Sequence, residues 1–555
     1  MPLPTATTTS KSPATAASPK KKVVRPPRYH ETRVFLDKER VPGRQHAPWH
    51  LGTRVAEGRR LAATLEQAGA RGVKDVGPIA WGYGTRDGTL AHGDTMSSVR
   101  VMKKIAAFRQ STVRHLAAGN RLSLFLTADG SVLQSGRLFL HQDGVKMWSP
   151  QVVSFSDPTP RIIAVEAGHL AAYALDDRGQ LYAWGTRRYG QLGLGEDSEE
   201  EQEEKEEDDE NMDTLDNQIA EEEPEELQTR STNREQDPDL LAADNLPPPS
   251  RKDVVERVPQ RIDLGVKLVG ISAGNHFAVA RCSRGFVYAW GWNAHGQLGL
   301  GFHSLERGIG TPQRVDALAE TIALQVAAGH SHVLAIGMPR HSQDDDQTNI
   351  SLLSQYTMVF AWGRGLRGCL GLGGATDQAA PREVTFFRGL HATQVAAGHD
   401  HSLVACTVGA TSHLYAFGGN QFGQLGIGRT TVSVEMPMAV DELCSGRTAV
   451  AVAAIGAGAY FSAALTADGE VFTWGDARYG KTARPDGRTT FVPWPVLREH
   501  VDVVPPNSKT AVTPTQGFVT ELSVGAHHTL GLHRKRTFQM HNWCSLLPLL
   551  CGDGN

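Results

Sequence analysis

At 555 residues the chain is too long for a typical single domain. Its formal net charge is −4, yet residues 196–227 hold 19 Asp or Glu and one Lys, so the remainder carries 55 Lys or Arg against 41 acids. No stretch approaches the roughly 20 apolar residues of a membrane span, the N-terminus lacks a secretory h-region, and the six cysteines form no CxxC pair, which points to a soluble chain in a reducing, intracellular compartment.

Residues 1–46 read as a disordered basic N-terminal arm. The first 29 are rich in Ser, Thr, Ala and Pro and run into SPKKKVVRPPR at 18–28. Lys20, Lys21, Lys22, Arg25 and Arg28 read as a nuclear localisation signal or a DNA-contacting arm, with a solvated tail that binds nothing as the alternative. A connector follows at 47–78, where LAATLEQAGA at 61–70 reads as a short helix.

From residue 79 to 536 the chain repeats itself. FVYAWGWNAHGQLGLG at 286–301 reads as a short strand, Phe286 to Trp290, entering a glycine-rich turn. The pattern returns as LYAWGTRRYGQLGLG at 181–195, VFAWGRGLRGCLGLG at 359–373 and LYAFGGNQFGQLGIG at 414–428, with weaker echoes at 79–93, 132–136 and 471–481. A second module, AAGxxH followed by a small apolar run, alternates with it, clearest as VAAGHSHVLAI at 326–336 and VAAGHDHSLVA at 395–405. The glycines closing the first module stand at 82, 136, 185, 291, 363, 418 and 475, and apart from two long gaps their period is near 50 to 57. Strand-rich repeats of that length belong to blades that cannot bury their faces alone. Seven of them predict an all-β, seven-bladed β-propeller.

Both long gaps carry insertions. Residues 196–250 predict a disordered acidic loop, because like charges repel and no apolar face exists. It reads as a spacer, as an acidic competitor for the basic arm, or as a contact for histones. Residues 339–357 predict a second surface loop, and 537–555, unlike any repeat, form a C-terminal extension.

Catalytic patterns are weak throughout. GDARYGKT at 475–482 matches a phosphate-binding loop, but Pro485 and Gly487 stand where its helix would begin, and the match shares register with every other blade turn. His330/His332 and His399/His401 are i, i+2 pairs expected to share one strand face, too few for zinc. His332, His401 and His528 occupy the repeat's own His position and are expected to bond neighbouring backbone. Trp81, Trp184, Trp290 and Trp362 read as blade packing. Neither a cofactor nor a metal is called for, and an enzyme with its own bond chemistry has no support.

The WG…G-Q-L-G-x-G turn and the AAGxxH strand start resemble the regulator of chromosome condensation repeat family over roughly 79–536. That resemblance implies a ring closed by pairing the strand around Ile79–Trp81 into the last blade. It also implies a chromatin-associated guanine-nucleotide exchange factor for a Ran-type small GTPase, acting through one propeller face, monomeric and nuclear. A non-catalytic adaptor, nuclear or cytoplasmic, is the alternative. Asp400, in the stretch Gly398-His399-Asp400-His401, resembles the family's GTPase-contacting loop, and His401 and His528 join it as contact candidates.

Overall fold

The computed structural model describes residues 73–83, 88–93, 98–108, 112–138, 147–156, 160–195, 255–340, 357–408, 411–444, 451–496 and 516–536. The basic arm, the residue 61–70 segment, the acidic insertion and the C-terminal extension lie outside them.

Seven four-stranded antiparallel sheets make up the ring. Blades one to six follow chain order at 113–152, 162–262, 268–314, 321–383, 391–439 and 452–495, each with its first strand innermost and its fourth outermost. Blade seven is composite. Gln516–Val524 and His528–Arg536 pair with Val73–Tyr83, which pairs in turn with Ser98–Lys104. Ile79 faces Gly531 and Trp81 faces Thr529, so the strand anticipated at Ile79–Trp81 does close the ring, beginning earlier, at Val73. Closure leaves no terminal blade with an open face.

Why single blades cannot stand alone is visible in the core. Each apolar cluster lies between neighbours: Leu334, Val359 and Leu370 of blade four pack with Val395, Val404 and Phe417 of blade five. Trp81, Trp184, Trp290, Trp362 and Trp474 are fully buried in these seams. In all seven blades the pairing of first and second strands slips at one place, as between Ala323 and Gln325 or Ala392 and Gln394. Such a bulge re-aims a side chain. Gln325 thereby both donates to and accepts from the backbone of Val395 on the next blade, and Gln394 does the same with Ala453 and Ile455.

Two boundaries differ from those expected. The third strand of blade three is Val287–Asn293, starting one residue later and ending three residues beyond Trp290, because Gly291 and Asn293 still pair with the outer strand. The margins of the second insertion belong to blade four: Pro339 ends a strand, Arg340 donates to three backbone carbonyls, and Thr357 exchanges hydrogen bonds with Ala392.

Candidate functional site: the turn face and its axial cavity

The second strand of each blade starts, and the third ends, on the same side of the ring, since His332 pairs with Gly363 and His401 with Gly418. That face therefore carries both repeated modules. At its centre the first strands end in Ala-Gly, or Val-Gly in blade seven, and the residue after each Gly donates its N–H to the next blade. His330 donates to Gly398 at 2.9 Å, His399 to Gly458 at 3.1 Å and Ala526 back to Gly119 at 3.1 Å; the other four blades make the equivalent bond. The result is a closed circle of seven inter-blade hydrogen bonds. It explains the glycine: a Cβ on Gly398 would stand 2.6 Å from the Gly458 carbonyl.

Inside the circle lies a cavity of about 360 Å³, walled by these Ala-Gly turns. Its mouth is aromatic and imidazole-lined. His330 and His399 meet tilted, with centroids 4.2 Å apart, His399 meets Tyr460 likewise at 5.4 Å, and Tyr83 meets His527 edge-on at 6.3 Å. Burial, then neighbouring histidines and arginines, hold His330 well below the usual imidazole range, and burial likewise lowers His399 and takes His527 down to about 4. Burial thus favours the neutral form of His330, His399 and His527.

Around the mouth stand the Gly-Gln-Leu-Gly turns. Each Gln folds back on its own turn: the amides of Tyr189, His295 and Phe422 donate to Gln191, Gln297 and Gln424. Its main-chain carbonyl faces the next blade, where Trp290, Trp362 and Trp474 each donate Nε1–H to it at 2.9 Å. Lys481 stands at the Gln position in blade six, and its carbonyl accepts Trp81 at 3.1 Å. Blade one lacks the turn, and there Trp184 reaches the Gln134 side chain instead.

The contact candidates prove to be interior residues. Asp400 is 1% exposed, ion-paired to Arg367 at 2.7 Å and bonded by Gln424 at 3.3 Å. Burial alone would raise its carboxyl, but the His401, His399 and Arg367 groups outweigh that and hold it at about 2. His401 and His528 are fully buried. They do not bond backbone, as expected from the sequence, but the hydroxyls of the following blade: His401 to Ser462, His528 to Ser123, and His332 to Ser402. Each serine passes its proton to a turn carbonyl 2.7 Å away. In this conformation Asp400, His401 and His528 present no surface to a macromolecule. Lys20, Lys21, Lys22, Arg25 and Arg28 lie outside the described residues.

The histidine pairs also part company. His330 and His399 sit in the bends before their strands and line the cavity, while His332 and His401 turn into the blade seams. At 475–482 a single 3-10 turn, Arg478–Gly480, replaces any helix, and Lys481 is buried against Asp476 at 2.6 Å. The residues that sequence reasoning missed are Arg367 and the partner serines. Serine does follow the His at 402, but nothing local shows that it belongs to the preceding blade's histidine.

Comparison with known proteins agrees with this geometry. Residues 284–336, 358–405 and 412–465 match the Regulator of chromosome condensation (RCC1) repeat, and 268–297 and 452–481 match a second description of it. The chain is 32% identical over 267 residues to the probable E3 ubiquitin-protein ligase HERC6 of Homo sapiens, covering 47% of this chain and 22% of that protein. It is 27% identical over 269 residues to the ultraviolet-B receptor UVR8 of Arabidopsis thaliana, covering 48% of this chain and 51% of the receptor. The chain thus spans from about a fifth to half of these relatives. Among solved structures, Prp20p of Saccharomyces cerevisiae superposes with a TM-score of 0.57 at 15% identity over 89% of this chain and 97% of that one. Human WBSCR16 gives 0.57 at 20% identity, over 84% and 100%. At such identity the likeness concerns the fold.

Proposed function

For this seven-bladed propeller of regulator of chromosome condensation repeats, we propose a protein-binding platform whose partner docks on the face bearing both sets of turns. The observation that supports it is the aromatic mouth on that face, where the exposed Tyr479 lies 4.5 Å from the lining Tyr83 and Arg478 lies over Phe422, itself against the lining Tyr460. Clefts of this kind, with aromatic and arginine groups at a desolvated centre, are where binding energy concentrates. The chain has no bond chemistry of its own in this reading. Arg478→Glu or Tyr479→Asp should abolish capture of a partner, whereas Val152→Asp on an outer strand should not. Equal loss in all three variants defeats the assignment of the face.

A second reading is guanine-nucleotide exchange on a Ran-type small GTPase in a chromatin setting. It is favoured by the likeness to Prp20p, a structure described together with binding to Gsp1p and histones. Because Asp400 is buried beneath Arg367, it would act only after that arginine is displaced. Release of a fluorescent nucleotide from the GTPase decides between the two: acceleration supports exchange, and binding without acceleration leaves the adaptor. In this reading the arm residues Lys20, Lys21, Lys22, Arg25 and Arg28 carry DNA affinity and the nuclear address. Replacing all five by Ala should then lower the salt dependence of DNA binding, by about 0.9 in log–log slope per lost phosphate contact.

A further inference from the structure

Blade six carries a patch of fixed charge and bare aromatic rings. Arg478 Nε and Nη2 bond both oxygens of Asp476, at 2.9 and 3.0 Å, and its guanidinium lies 4.7 Å over the Phe422 ring. Six positions on, Arg484 is held in the same way, bidentate to Asp486 at 2.9 and 2.6 Å and 4.4 Å over Trp494. Lys481 also reaches Asp476, at 2.6 Å, and Arg488, its side chain exposed, donates its main-chain N–H to Asp486 at 3.1 Å. Arg100 joins them from the outer strand of blade seven, since a Cβ on Gly487 would stand 3.5 Å from its Nη1. Among the described residues of this patch, five cations (Arg100, Arg478, Lys481, Arg484 and Arg488) thus meet two carboxylates, Asp476 and Asp486. The stretch at 475–482, which builds no phosphate-binding loop, supplies half of this surface instead.

The apolar part is equally open. Tyr479, Phe491 and Trp494 are three of the nine large apolar side chains exposed among the described residues. Tyr479 takes a left-handed φ of 60°, which strains a residue other than glycine and here sets its ring against Tyr83. The outer strand Thr490–Pro495 is no template for strand pairing, because Pro493 and Pro495 have no N–H to give. What this edge offers a partner is side chains. Arg478 and Arg484 are already oriented by a carboxylate and a ring, so little rotamer freedom is lost when they bind.

We propose that blade six docks an acidic segment of a protein partner, its carboxylates meeting Arg478, Arg488 and Arg100 and an apolar side chain lying on Phe491 and Trp494. The proposal rests on the platform reading and names the chemistry of the contact. Five cations against two carboxylates suit a short acidic peptide. A nucleic acid duplex draws its affinity from about six to ten phosphate contacts, more than this patch presents.

Fluorescence anisotropy of the full chain tests this with a labelled peptide of alternating Glu-Glu and Leu-Phe pairs, its Gln-Gln counterpart, and a labelled DNA duplex. The glutamate peptide should bind, more weakly as salt rises, and the glutamine peptide should not. Arg100→Gln/Arg488→Gln, at two exposed positions, should weaken binding about tenfold, a loss of about 1.4 kcal/mol, with an unchanged melting transition. Arg314→Gln, which alters a guanidinium over an aromatic ring on blade three, should leave binding as it was. Equal binding of the glutamine peptide, indifference to the double variant, or tighter binding of the duplex than of the peptide would overturn the proposal. So would binding that appears only once the acids of residues 196–210 are exchanged for Asn and Gln, since the chain's own insertion would then be the occupant. Partner capture by the Arg478 and Tyr479 variants is scored separately. Face-dependent capture with no peptide binding removes only the acidic-segment contact, and loss of that face dependence removes the platform as well.

Discussion

His401 of blade five is bonded through Nε2 to the Ser462 hydroxyl of blade six at 2.9 Å, and Ser462 donates onward to the Gln424 carbonyl of blade five at 2.7 Å. A hydroxyl has one proton. Ser462 therefore accepts from His401, so Nε2 carries a proton, while Nδ1 stands 3.8 Å from Asp400 Oδ1. The seam between two blades is thus stitched out and back by one histidine.

Removing that stitch should cost stability rather than binding. His401→Ala deletes a buried ring and a hydrogen bond, so a loss of about 2–4 kcal/mol is expected in chemical denaturation. Ser462→Ala should cost about 1–2 kcal/mol, and the double variant should cost less than the sum. Strict additivity would show that the two residues act independently.

Acid should loosen the ring. Burial, and then the neighbouring His401 and His527 respectively, push His332 and His528 down to about 3, against about 6.5 in an unfolded chain. Between those values the unfolded state binds more protons, so stability is complete above about pH 6.5 and declines as pH falls toward 3. Each group contributes a slope of about 1.4 kcal/mol per pH unit in that window. Denaturant midpoints should fall from pH 7 to 4, and His528→Asn should flatten the decline by one proton's worth. A midpoint independent of pH over that range contradicts the buried, neutral imidazoles.

Arg367 and Asp400 form a buried pair, with side chains 10% and 0% exposed. Arg367→Ala leaves an uncompensated carboxylate and should cost about 3–5 kcal/mol. Restoring neutrality in Arg367→Ala/Asp400→Asn should recover part of that loss. Thermal melting of the three forms measures the recovery, and its absence would mean that the arginine acts through packing alone.

The circle of glycines should be intolerant. Gly398→Ala places a Cβ 2.5 Å from His401 Cε1 and 2.6 Å from the Gly458 carbonyl, so the melting transition should collapse. Gly374→Ala meets nothing within 4 Å and has no positive φ to resist it, so it should melt as the parent does. Similar melting of both variants would place the reason for the glycine elsewhere.

Much of the fold was legible in the chain because a propeller repeats its own grammar. The Trp-Gly strand ends and Ala-Gly strand starts recur in step, so the number of blades, the closing strand at Ile79–Trp81 and the buried tryptophans could be read without coordinates. What each repeated residue touches could not. A strand's periodicity says which residues share a face, but in a ring half of the partners come from the neighbouring blade, about 60 residues away, as Ser462 is from His401. Asp400 stood as a contact candidate because Gly398-His399-Asp400-His401 resembles the family's GTPase-contacting loop. Arg367, 33 positions earlier in the turn of the preceding blade, buries and neutralises it. His330 and His332, two positions apart, end in a solvent-facing mouth and a dry seam, since the strand begins only at His332. Sequence determined the unit and its count, which depend on local pattern. Tertiary structure alone decided which polar groups were spent on joining blades, because that depends on contacts made across the seams.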